Sequence, residues 1–207
     1  AVLFGDGCAA VVLQATGNVE GLLGEKLGCD VEGRGSLVIQ GIGTRYADFQ
    51  RRYGETEWIF EGQDIFKRAV LGMGQACADV LASQGVSASD VDLVVPHQAN
   101  LRIIEAVAKR AGVPMERVFV NVQRYGNMSA ATVPVALVEA LEEGRIHPGS
   151  LLLMPAFGAG LTWCAHLVRW GERVTPLGTS DTELPPAPAS GLELVRGMIA
   201  RQDQRGP

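Results

Sequence analysis

The sequence predicts an α/β fold with a mixed, mostly parallel sheet packed with helices. Three observations carry that prediction. Apolar runs of strand length end in short polar or glycine-rich loops at residues 91–95, 118–122 and 151–154. Stretches with apolar residues at three- and four-residue steps separate them, the pattern of amphipathic helices. The small-residue turn Phe157-Gly158-Ala159-Gly160 then joins two neighbouring apolar runs, as in an antiparallel pair. Strand, helix, strand, helix, strand is the order that gives parallel strands with crossover helices.

Bulk properties narrow the function classes. At 207 residues, 47% hydrophobic and 20% charged, the chain can bury a substantial core. A net charge of −5 gives no global basic field for nucleic acid. No run of about 18 apolar residues points to a membrane span. The four cysteines (Cys8, Cys29, Cys77, Cys164) form no C-x-x-C pair, which argues against a zinc knuckle or redox dithiol. Cys77 and Cys164 have small or apolar neighbours and are expected to be reduced, buried thiols of a cytoplasmic protein. There is no signal peptide and no initiator Met, and AVLFGDG begins as though inside a strand. The chain is therefore expected to be part of a longer polypeptide.

The elements follow in order. Residues 1–16 suggest strand, turn, strand, with Asp6 in a Gly-Asp-Gly turn. Residues 17–53 are glycine-rich and weakly patterned, with a possible strand at 37–39 and a cluster of Arg45, Arg51 and Arg52. Residues 65–81 form the clearest helix, with Phe66, Val70, Met73, Cys77 and Val80 on one stripe. Gly72 and Gly74 lie within it, so they serve close packing and not a dinucleotide loop. Gly85 ends the helix. After the run at 91–95, Leu101, Ile104, Ala108 and Ala111 place a helix face, stopped by Gly112-Val113-Pro114. A strand is expected at 118–122. A helix then runs to about Glu143, with Ser129 as a candidate N-cap and Pro134 forcing a late start or a kink. Strands at 151–154 and about 163–168 complete the set.

Three loops carry the functional signal. They hold Pro96-His97-Gln98-Ala99-Asn100, Tyr125-Gly126-Asn127-Met128-Ser129 and Phe157-Gly158-Ala159-Gly160. Parallel strands would bring all three to one sheet edge, where α/β folds place ligands. His97 alone is open to two readings, a turn histidine or a functional imidazole. The loops together supply an imidazole, a carboxamide and a glycine-rich backbone turn. There is no paired-acid signature and no G-x-S-x-G elbow. Neutral His and Asn donors suit a reaction that develops negative charge on a carbonyl oxygen, such as an enolate. Gly158, Ala159 and Gly160 would give a second, backbone oxyanion site. His147 and His166 are expected to have surface or packing roles, and no metal site is expected.

PHQANLRII, RYGNMSAATVPVAL and AFGAGLTWCAHLVRW, with FGDGCAAVVL and GQDIFKRAV, closely resemble β-ketoacyl-[acyl-carrier-protein] synthase III of the thiolase superfamily. The resemblance covers residues 1–170. It implies the C-terminal half of a thiolase-like fold and a condensing enzyme of fatty-acid synthesis initiation. In such an enzyme acyl-CoA loads a cysteine, and decarboxylation of malonyl-acyl carrier protein yields the attacking enolate. No cofactor is implied. Carried over by motif, His97 and Asn127 match the catalytic pair, and Gly62, Phe66, Ala99 and Asn100 match the coenzyme A and pantetheine tunnel. The stretch Gln98, Ala99, Asn100, Leu101 and Arg102 matches the acyl carrier protein contact, with Lys67, Lys109 and Arg110 adding a basic patch. The nucleophilic cysteine belongs to the N-terminal half of such enzymes, and none of the four cysteines here matches its motif. A homodimer is implied, with no nucleic acid or membrane partner. Ala159 stands where the family often has glycine, a strained choice if φ is positive there.

Beyond Trp170, residues 171–190 form a Pro/Ser/Ala-rich linker, and 191–207 form a short amphipathic helix or a disordered tail. Two other functions stay open: a related condensing enzyme or acyltransferase of secondary metabolism, and a non-catalytic half that binds carrier protein.

Overall fold

A computed structural model describes residues 3–17, 19–40, 57–175, 178, 185–186 and 188–203. The chain divides into two units, Ala1–Thr175 and Pro176–Pro207. Arg45, Arg51 and Arg52 lie outside the described residues.

The first unit is built on a four-stranded mixed sheet in the order β1 (Gly21–Cys29), β6 (Thr162–Arg169), β5 (Leu151–Gly158), β4 (Leu93–Val94). β4 runs parallel to β5, with Leu93 opposite Leu152 and Val94 opposite Leu153. β5 and β6 are antiparallel through the turn between Gly158 and Thr162, and β1 is antiparallel to β6. A separate antiparallel pair joins β2 (Leu37–Gln40) to β3 (Glu57–Phe60). The sheet is mixed, as expected, but not mostly parallel: two of its three ladders are antiparallel, because the long β1, β5 and β6 pair through antiparallel neighbours. Its parallel part is the β4–β5 ladder and one bridge from Val94 to Val118.

Alternation along β5 sorts the core into two layers. Leu151 and Leu153 cluster with Cys77 and Val80 of α1 (Gly62–Ser83) and with Ile104 and Ala108 of α2 (Leu101–Ala111). Leu152, one residue out of phase, clusters with Ala136 and Ala140 of α4 (Thr132–Glu142). Side chains on a strand alternate between its faces, so helices cover the sheet on both sides. In α2, Ile104, Ala108 and Ala111 are buried as the spacing requires. Leu101 is 47% exposed, and Ile103 and Val107 complete the buried face.

The helical glycines are contact points. A Cβ on Gly72 would lie 2.6 Å from Cδ2 of Trp163, and one on Gly74 would lie 2.2 Å from Cδ of Arg110. Gly85 and Gly112 follow α1 and α2 with φ of +63° and +74°. α4 starts late, at Thr132, so Pro134 falls in its first turn, where no intrahelical N–H is needed.

Four further expectations need correction. Residues 5–16 form no strand: Phe4 makes a single bridge to Asn127, and Val12 and Leu13 are 93% and 90% exposed. No other described strand pairs with that stretch. Residues 118–122 are not a strand beyond the Val118 bridge, and a helical turn, α3 (Val122–Tyr125), begins there. Ser129 does not cap α4; it opens a short 3₁₀ turn with φ of +56°. β1 went unforeseen in a glycine-rich stretch. Gly28 leaves room for the Trp163 indole, since a Cβ there would lie 2.3 Å from its Nε1.

In the second unit, α5 (Gly191–Asp203) is preceded by Ser190, whose hydroxyl accepts from the Glu193 backbone N–H while Glu193 accepts from the Ser190 backbone N–H. These reciprocal bonds are a capping box. Leu192, Leu194, Val195 and Ile199 are exposed on α5. No helix among the described residues is long and apolar enough to cross a membrane.

Candidate active site

The three singled-out loops converge on one sheet edge. β4 and β5 are parallel, so the His97 loop and the turn at residues 158–160 leave from the same end. The His97 backbone N–H donates to the Pro155 carbonyl at 2.8 Å, which ties the first loop to β5. The Asn127 loop follows residues 118–120, held beside β4 by the Phe119 N–H to Val94 carbonyl bond at 2.9 Å.

A buried amide joins the first two loops. Gln98 is fully buried. Its Nε2 donates to the carbonyls of Pro96 and Phe119, at 2.9 and 3.1 Å. Its Oε1 accepts from the backbone N–H groups of Asn121 and Val122, at 3.0 and 3.2 Å. All four hydrogen-bonding positions of the carboxamide are used internally. This corrects the reading of Gln98 as part of a carrier-protein contact, because no atom of it reaches the surface. The same bonds draw Asn121 and Val122 out of the sheet ladder and explain why no strand continues there.

His97 is largely buried, and burial alone pushes its pKa down to about 4, so the ring is neutral at pH 7. Its Nδ1 lies 2.5 Å from the Thr132 hydroxyl oxygen. Asn127 is half-buried, and its Oδ1 accepts from the Ser129 N–H at 2.9 Å. That bond leaves the amide NH₂ as the end open to a ligand. The Asn127 backbone is gripped on both sides: its N–H donates to Leu3 and its carbonyl accepts from Gly5, each at 3.1 Å. Gly5 is obligatory in that grip, since a Cβ there would sit 1.7 Å from the Tyr125 carbonyl oxygen. Gly126, with φ of +69° and ψ of −161°, sets up the approach in a region open essentially to glycine.

The other predicted residues fall around this edge in different ways. Asn100 is the N-cap of α2, its Oδ1 accepting from the Ile103 N–H at 3.0 Å, so that oxygen is occupied. Ala99 is half-buried, and Phe66 and Gly62 are exposed at the start of α1. Arg102, Lys109 and Arg110 are exposed on α2, and Lys67 is exposed on α1. Lys67 and Arg110 also line a groove of about 410 Å³ with Arg68, Gln75 and Trp163. Asp30 and Asp64 share that groove but are already engaged. Arg68 bonds both carboxylates, and Ser36 donates to Asp64 at 2.5 Å, which hold Asp30 and Asp64 below the usual carboxylate range. Ala159 avoids positive φ, and Gly160 takes it instead, at +138°.

Of the cysteines, Cys77 is fully buried, its thiol pushed up to about 12 by desolvation and by the neighbouring Cys164. Cys164 is half-buried and also raised, mainly by desolvation. Cys8 and Cys29 are exposed. Thr132 was missed by sequence reasoning. It lies 35 positions from its partner His97, and a threonine at a helix start looks like any other.

Comparison with known proteins bears on the family and the fold. Residues 81–170 match the family model for 3-oxoacyl-[acyl-carrier-protein (ACP)] synthase III C terminal. The β-ketoacyl-[acyl-carrier-protein] synthase III 2 of Vibrio cholerae is 52% identical over 199 residues, covering 96% of this chain and 55% of that protein. That alignment is long enough to reach beyond Trp170. The crystal structure of β-ketoacyl-[acyl carrier protein] synthase III from Thermus thermophilus superposes with a TM-score of 0.73 at 42% identity, covering 83% of this chain and 53% of that one. The priming β-ketosynthase of the R1128 polyketide biosynthetic pathway superposes with a TM-score of 0.65 at 31% identity, over 73% of this chain and 46% of that one. The chain spans about half the length of the relatives it matches. Motifs, fold and comparisons agree that this chain belongs to the β-ketoacyl-[acyl-carrier-protein] synthase III family and carries the thiolase-type C-terminal half.

Proposed function

We propose that the chain supplies the enolate-stabilising half of a decarboxylative condensing enzyme of fatty-acid synthesis. His97 and Asn127 are the paired N–H donors that hold the malonyl thioester oxygen as carbon dioxide leaves. The observation that carries this is their shared sheet edge, with one end of each side chain already bonded: His97 Nδ1 to Thr132 and Asn127 Oδ1 to Ser129. The free end of each is then available to one oxygen. Neutral, prepositioned donors are the form in which such a site lowers a barrier. The turn at Gly158, Ala159 and Gly160 serves the tetrahedral intermediate of acyl transfer.

The acylated cysteine comes from outside this chain. Cys77 and Cys164 stay protonated at neutral pH, and the His97 side chain bonds a hydroxyl and not a thiol. The substrates are acyl-CoA and malonyl-acyl carrier protein, with no cofactor. Gly62, Phe66, Ala99 and Asn100 line the pantetheine approach. Arg102, Lys67, Lys109 and Arg110, with Leu101, receive the carrier protein, whose acidic surface suits this exposed basic set. Residues 1–170 form the catalytic half, 171–190 link it to the terminal helix, and the working enzyme is a cytoplasmic homodimer.

The test joins this chain to the N-terminal half of the enzyme and follows two steps separately. His97→Ala and Asn127→Ala are each expected to slow malonyl decarboxylation by about 10²–10³ while leaving cysteine acylation nearly intact. Decarboxylation that survives both changes would sink the assignment. A priming synthase of secondary metabolism is the second reading, favoured by the likeness to the R1128 enzyme. A panel of acyl-CoA donors separates the two.

A further inference from the structure

An imidazole can stabilise a developing oxyanion only through a nitrogen that carries hydrogen. In His97 that nitrogen has to be Nε2, because Nδ1 is taken by Thr132 at 2.5 Å. The Thr132 side chain is fully buried and has one hydroxyl proton with two acceptors in reach. One is His97 Nδ1; the other is the Ser129 carbonyl, 3.0 Å away. If the proton goes to Ser129, the ring donates from Nδ1 and Nε2 is a bare lone pair. If it goes to the ring, Nδ1 is the acceptor and the imidazole hydrogen sits on Nε2.

One observation permits the second state, and the proposed role of His97 requires it. The Ser129 carbonyl already accepts the Thr132 backbone N–H that closes the short 3₁₀ turn, so it is satisfied without the hydroxyl. Nδ1 pairs with the Thr132 oxygen in either state, so it is the donor role of Nε2, required of His97 as an oxyanion donor, that selects the second. The shorter of the two contacts is also the one to the ring.

We propose that Thr132 is a positioning residue that donates its hydroxyl proton to His97 Nδ1 and thereby fixes the imidazole as its Nε2–H tautomer. The inference rests on the reading of His97 as an oxyanion donor, and it says what makes the ring one. The hydroxyl is well placed to do this. Thr132 is the first residue of α4 with helical φ and ψ of −59° and −45°, and its β-branch limits χ1. Burial keeps His97 neutral, so the ring's chemistry is decided by tautomer and not by charge.

The tautomer can be read without turnover. The 207-residue chain is labelled with ¹⁵N-histidine, and long-range ¹H–¹⁵N correlation at pH 7.5 reports which ring nitrogen of His97 carries hydrogen. Only three histidines are present, and His97→Gln identifies the signal by its loss. Wild type and Thr132→Ser are expected to show Nε2–H. Thr132→Val, close to isosteric, is expected to shift the ring toward Nδ1–H or a mixture with its unfolding midpoint near that of wild type. In the joined enzyme Thr132→Val should lower decarboxylation kcat about tenfold or more with little change in KM, and Thr132→Ser should restore it. Hydrogen on Nδ1 in the wild type overturns the proposal, and so does an unchanged tautomer in Thr132→Val. Should the tautomer behave as expected while decarboxylation survives His97→Ala, the role of Thr132 is supported and the oxyanion reading alone fails.

Discussion

At the scale of single residues, His97 ties function to folding stability. Its pKa of about 4 in the folded chain lies below the ordinary value near 6.5 in an unfolded one. Between those values the unfolded chain binds a proton that the folded chain refuses, so stability falls as pH is lowered from about 6.5 to about 4. Above pH 6.5 both states leave the ring neutral and the effect vanishes. The loss across the window is about 3 kcal/mol for a group this buried. Denaturant unfolding of wild type and His97→Gln at pH 7.5 and 4.5 measures it. The variant is expected to lose less stability on acidification, and equal losses would mean that the ring is accessible to protons in the folded chain. Asp30 and Asp64 also favour the folded state above the acid range, but their contributions are common to both chains.

The proposed donor pair was legible in the sequence, whereas the residues supporting it were not. His97 and Asn127 stand out because each is a polar residue in a loop that ends an apolar run. Gln98 stands in the same polar run, and the motif match to a carrier-protein contact places it at the surface. In the structure its carboxamide is spent on four backbone groups from three places, which spacing along a chain does not reveal. Thr132 was hidden for the same reason.

At the scale of elements, helices with strong periodicity matched the sequence pattern closely, and strands with glycine did not. α1 was visible because its stripe is continuous. β1 was invisible because Gly24 and Gly28 weaken the alternation, and they are present to accommodate Gln84 and Trp163. The same indole bears on α1. Replacing Gly72 with alanine gains about 1 kcal/mol of helix propensity but drives a methyl group to 2.6 Å from Cδ2 of Trp163. Trp163 sits on β6 between neighbouring strands, so the ring cannot simply swing away. Gly72→Ala is expected to destabilise the chain by about 1–3 kcal/mol net, read as a lower denaturant midpoint. Gly35→Ala, where a Cβ meets nothing within 4 Å, should stay within about 0.5 kcal/mol of wild type. A neutral Gly72→Ala would show that the helix–strand contact is looser than the geometry implies.

At the scale of the whole molecule, the first unit draws its candidate site edge from segments far apart in the chain. His97 and Asn127 are carried by successive loops, but the Asn127 backbone is closed by residues 3–5, more than a hundred positions away. Loop-closure entropy opposes such a contact, and the strand-forming residues after Gly7 contribute no ladder of their own to offset it. The grip on Asn127 is therefore the part of the edge most able to open without the core following. Its two hydrogen bonds break together when residues 3–5 lift, so the amides of Gly5 and Asn127 should exchange with solvent deuterium at matched rates. Those rates should exceed that of His97, whose amide is held by β5. Matched exchange would make the Asn127 carboxamide an intermittent group of the edge, set in place each time residues 3–5 settle on it. Unmatched exchange would mean that the loop keeps its shape unaided.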